Sequence, residues 1–78
     1  MRIDNLKPGQ NVILGFVGSA ERSMFLEISG EGESRTAKFV SIDGSGAFYT
    51  WEAYRYNKRW AYGTSAQRLS LLKTFYKS

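Results

Sequence analysis

Ala47-Phe48-Tyr49-Thr50-Trp51-Glu52-Ala53-Tyr54-Arg55-Tyr56-Asn57-Lys58-Arg59-Trp60-Ala61-Tyr62 is the stretch on which the reading of this chain turns. Aromatic and β-branched side chains favour a pleated, half-buried surface. Residues 47–56 therefore predict one strand and residues 59–62 its return, with Asn57-Lys58 as a two-residue turn. Asn tolerates the positive φ that such a turn demands, although the glycine that usually follows it is absent. This turn sets the register: Tyr56 opposite Arg59, Arg55 opposite Trp60, Tyr54 opposite Ala61, Ala53 opposite Tyr62. Because side chains alternate across a strand, one face of the hairpin carries Tyr49, Trp51, Ala53, Arg55, Trp60 and Tyr62. The other carries Phe48, Thr50, Glu52, Tyr54, Tyr56, Arg59 and Ala61.

Outward from the hairpin, three further strands are expected. Val12 to Val17 is a continuous apolar run of strand length, preceded by the turn residues Lys7-Pro8-Gly9-Gln10. Ser23 to Ser29 alternates, with Met24, Leu26 and Ile28 on one side and Ser23, Phe25, Glu27 and Ser29 on the other. Arg35 to Ile42 is the third, and its pairing of Ala37 with Phe39 and of Val40 with Ile42 predicts a bulge or sharp twist there. Gly30-Glu31-Gly32-Glu33-Ser34 and Asp43-Gly44-Ser45-Gly46 separate the strands as turns.

From Thr64 the pattern changes. Thr64 and Gln67 have the spacing of a capping box. Read at helical period, Leu69, Leu71, Leu72, Phe75 and Tyr76 form one apolar face, with Arg68 intruding on it. The chain therefore predicts a C-terminal α-helix over about residues 64–77; a sixth strand through Arg68 to Leu72 is the competing reading. The whole, 1–78, reads as one mostly β domain. It is expected to be a small five-stranded antiparallel meander with that helix, rolled into a partly open SH3-like or OB-like barrel. A flatter sheet crossed by the helix is the alternative.

Composition narrows the chemistry. The chain has no cysteine and no histidine, which removes disulfides, thiolate metal sites and the commonest general base. Glu52 is the one acid set among aromatics, and pairing with a base across the sheet is expected of it rather than proton transfer. No catalytic residue, metal ligand or cofactor is expected, and the chain reads as a non-enzymatic binding domain. No apolar run approaches the ~18 residues of a membrane span, and residues 1–6 carry no apolar leader core. A cytoplasmic protein without a membrane partner is the expectation.

The charge is +4 but uneven. Residues 1–52 hold all seven acids and five bases, whereas residues 53–78 hold six bases and no acid. Such a split points to an anionic partner for the basic half. Seven of the twelve aromatics also fall between Phe48 and Tyr62, interleaved with Arg55, Lys58 and Arg59. Rings that stack bases beside cations that neutralise phosphates are what single-stranded nucleic acid needs. The candidate binding residues are Trp51, Tyr54, Arg55, Tyr56, Lys58, Arg59 and Trp60, with DNA or RNA as the favoured partner. Tyr, Trp and Arg also dominate protein interfaces. The alternative is thus an accessory factor or inhibitor that docks through the same hairpin on a larger enzyme, nucleic-acid-processing enzymes included. A homo-oligomer that buries an aromatic face between copies is a third reading.

Overall fold

The structure, a computed structural model, describes residues 2–75. The aromatic hairpin forms as its residues dictate. Strand β4 (Phe48–Tyr56) pairs with β5 (Arg59–Tyr62) through Tyr54–Ala61, Arg55–Trp60 and Tyr56–Arg59. Asn57 and Lys58 take φ of 51° and 62°, the doubly positive pattern of a type I′ turn, whose twist matches that of the flanking strands. Strand β3 (Thr36–Ile42) lines the other side of β4, from Thr36–Tyr54 to Ile42–Phe48. Glu52 stands opposite Lys38 in this register.

The two N-terminal strands form a second tight hairpin. Strand β1 (Asn11–Phe16) and the longer β2 (Ser19–Ser29) meet at the Val17-Gly18 turn, where Gly18 has φ of 79°. Val17 is therefore turn rather than strand, and β2 begins well before Ser23. The expected bulge is present but on β2, not on β3. Between Phe25–Phe39 and Glu27–Lys38 the register advances two residues on β2 for one on β3. The extra residue, Leu26, switches the faces. Ser23 and Phe25 point inward before it and Ile28 packs against the core after it, so the uniform alternation expected for Ser23 to Ser29 does not hold. Strand β3 itself alternates regularly, with Ala37, Phe39 and Ser41 buried.

Residues 64–75 correct the largest expectation. They hold no helix: after a turn closed by Ala66 N–H donating to the Gly63 carbonyl, the chain forms β6 (Gln67–Arg68) and β7 (Ser70–Phe75). Tyr76 and Lys77, also assigned to the helix, lie outside the described residues. The sheet thus has seven strands, not five, in the order β6-β5-β4-β3-β2-β1-β7. The physical reason is pairing: β6 closes on β5 and β7 on β1, satisfying backbone groups that a helix over residues 64–75 would leave open on both strands. The two outermost strands are separated only by Leu69, so the antiparallel sheet must curl until its ends approach each other.

Curling gives the sheet an inner and an outer face. The inner face holds Val12, Leu14, Phe25, Ala37, Phe39, Ala53, Trp60 and Leu69, and Ile3 from a 3₁₀ turn (Ile3–Asn5) completes this core. Burying one such large apolar side chain contributes about 1.5–3 kcal/mol. Leu72, on the outer face, crosses Gly15, where an added Cβ would meet its Cδ1 at 3.0 Å. No helix among the described residues is long and apolar enough to cross a membrane.

Candidate nucleic-acid interface

The curl decides which face of the hairpin is free. Trp51 lies on the inner face, stacked on Phe39 with ring centroids 4.9 Å apart and edge-on to Tyr62 at the same distance. Its Nε1–H donates to Ser41 Oγ at 2.9 Å, and Ser41 Oγ in turn shares a buried 2.7 Å hydrogen bond with Ser23 Oγ. Such a ring is fixed by packing and a satisfied polar handle. Trp60 is also inward and only 6% exposed. The Arg55 and Arg35 guanidinium carbons lie 5.2 and 5.8 Å from its ring centroid, and its Nε1–H donates to Asp4 Oδ2 at 3.4 Å. Both tryptophans are therefore walls of the fold, and neither offers a free face of its ring to a base.

The outer face of the hairpin carries the other candidates. Tyr54 donates its hydroxyl proton to the Gly63 carbonyl, and Arg59 donates from Nη2 to the Ala66 carbonyl at 3.4 Å. These two side chains lie over β5, where Ala61 is fully buried. Arg59 Nε is buried with no hydrogen-bond partner among the described residues. Tyr56, beneath the Arg59 guanidinium at 5.9 Å, is 48% exposed and is the one candidate aromatic with a largely open ring. Lys58 is exposed at the turn.

The basic residues converge at one end of the sheet. A recess of about 300 Å³ is lined by Arg2, Ile3 and Asp4 of the N-terminal turn, by Arg55, Lys58, Arg59 and Trp60 of the hairpin, and by Arg68 to Leu71. Five cations thus face one carboxylate. That carboxylate is engaged: Asp4 pairs with Arg35 and lies 3.9 Å from Arg2. Arg55, its side chain 12% exposed, pairs with Glu33 at 3.0 Å. Lys58, Arg59 and Arg68 make no ion pair among the described residues. Of the seven candidates, Arg55, Lys58, Arg59 and Trp60 are brought together here, while Trp51, Tyr54 and Tyr56 are not.

Sequence reasoning missed Arg2 and Arg68. Arg68 carried a signal, being out of place on a helical apolar face; on a strand it simply points outward opposite Ala61. Arg2 carried none, because its place depends on the N-terminal turn docking against the hairpin.

Elsewhere the outer face of β2, β3 and β4 bears an open groove of about 390 Å³, lined in part by Met24, Val40, Ile42 and Phe48. Ile42 is 57% and Phe48 74% exposed. Among the described residues no group of three or more acidic or other metal-binding side chains is placed to hold a metal ion. Comparisons with protein-family models, with curated proteins and with solved structures found no match to this chain.

Proposed function

We propose that this protein is a non-enzymatic nucleic-acid-binding domain that uses its β4–β5 hairpin, with single strands preferred. One observation carries the reading: Arg55, Lys58 and Arg59 of the hairpin share a recess with Arg2 and Arg68 against a single, already paired carboxylate. A cationic concavity of this kind attracts a phosphate backbone whatever its sequence. With Trp51 and Trp60 packed into the fold, phosphate contacts supply most of the affinity. Stacking is left to Tyr56, a contact worth about 1–3 kcal/mol.

The test is fluorescence anisotropy of labelled single- and double-stranded DNA and RNA at low and moderate salt. The expected result is binding that weakens steeply with salt, with a slope of about −0.7 per phosphate neutralised on a single strand. Failure to bind any of them at low salt would overturn the reading. A protein partner is the second reading, and the exposed apolar groove around Ile42 and Phe48 favours it, since such patches mark docking sites.

A further inference from the structure

We propose that the basic recess is a site for a terminal phosphomonoester, the phosphorylated end of a strand, rather than for the passing phosphodiesters of its interior. The inference rests on the nucleic-acid reading and gives that site its ligand class. Three observations carry it.

The first is shape. Three chain segments wall the recess, namely the N-terminal turn, the hairpin tip and the start of β7, and Ile3, Trp60 and Leu69 beneath them are buried core. The recess is open to solvent, and cations from the N-terminal turn, the hairpin and Arg68 converge on it, which suits one compact, multiply charged group. The second is charge. Lys58, Arg59 and Arg68 have no acidic partner among the described residues. A phosphomonoester brings about −1.5 to −2 charges and three acceptor oxygens in one compact group, against the single charge of a diester.

The third is the backbone at Lys58. This residue sits at φ 62°, in the left-handed region. Glycine occupies the second position of a type I′ turn without steric cost, and a lysine does not. Strain held at a binding surface is a mark of function. Here it places an ammonium group at the rim of a recess whose other cations are arginines.

This strain supplies a test that a merely structural role would fail. One single-stranded oligonucleotide is prepared with a 5′-phosphate, with a 3′-phosphate, and with hydroxyls at both ends. The three compete with a labelled strand for the intact chain at moderate salt. The expected result is that one phosphorylated form binds about tenfold tighter than the hydroxyl form, the equivalent of one strong charge-assisted contact; which form it is tells the source of the phosphate. In Lys58→Gly that preference is expected to shrink to about twofold or less while the thermal midpoint rises, so affinity and stability move in opposite directions. Lys7→Gln, a charge change outside the recess, is expected to weaken all three strands alike and keep the preference.

Equal binding of the three oligonucleotides would overturn the phosphomonoester site and leave the nucleic-acid reading standing. An undiminished preference in Lys58→Gly would overturn the assignment to this recess. If no strand binds, phosphorylated ones included, the nucleic-acid reading falls and the strand-end site falls with it.

Discussion

At the scale of single residues, Trp60 does two jobs. Its ring closes the core, while the Arg35 and Arg55 guanidinium groups lie against it and Arg55 also lines the basic recess. Trp60→Ala is expected to lower the unfolding free energy by about 3–5 kcal/mol, measurable by urea denaturation, so any loss of binding in that variant would report unfolding. Asp43 shows a local effect of another kind. Hydrogen bonds from the Ser45 hydroxyl, first, and then from the Ser45 and Ala47 amides hold its carboxyl below the ordinary value of 3.8. A depressed carboxylate stabilises the fold above its unfolded value, and the contribution is lost as pH falls through the lower folded value. The 43–47 turn is therefore expected to persist through mildly acid pH and loosen below 3.8, with the Ser45 and Ala47 amide shifts titrating there. Both turns were legible in the sequence, because Asp-Gly-Ser-Gly and Asn57-Lys58 act within a few residues of themselves.

At the scale of elements, the residues after Gly63 show where local reading stops. Leu69, Leu71, Leu72 and Phe75 satisfy a helical period well enough to predict a helix, and nothing nearby contradicts it. The deciding interactions are distant: β6 needs β5, and β7 needs β1. The two arrangements differ in what they bury. A helix would put Leu69 and Leu72 on one apolar face, whereas the strand leaves Leu69 5% and Leu72 51% exposed. We expect Leu69→Ala to cost about 2–5 kcal/mol and Leu72→Ala less than about 1 kcal/mol, by thermal or urea unfolding; equal costs would contradict the strand. The β2 bulge was hidden for a related reason. Met24, Leu26 and Ile28 alternate in sequence with no break, and only pairing with β3 reveals that Leu26 is an inserted step.

At the scale of the whole molecule, the uneven charge seen along the sequence becomes a place. The candidate hairpin was legible as a basic aromatic segment, but its surroundings were not, since Arg2 and Arg68 join it only through the curl of the sheet. The same curl removed both tryptophans from the expected stacking surface. Glu33, 58% exposed, draws on Arg55 from outside the recess. Glu33→Gln is expected to tighten oligonucleotide binding about two- to threefold at low salt, an effect that fades as ions screen the exposed charge; anisotropy across a salt series measures it.

The return of residues 70–75 to β1 also governs the order of assembly. The Val17-Gly18 and Asn57-Lys58 turns close their hairpins between neighbours in the chain, whereas Asn11 must find Phe75. Loop-closure entropy is spent before such a distant pairing gives anything back, which slows folding and leaves that pairing for late in the process. We expect a chevron analysis of Leu71→Ala to show faster unfolding with little change in refolding, and replacement of Asn57 to slow refolding instead. The last strand, at the far edge of the curled sheet, would then control how long the folded molecule survives, while a two-residue turn controls how quickly it forms.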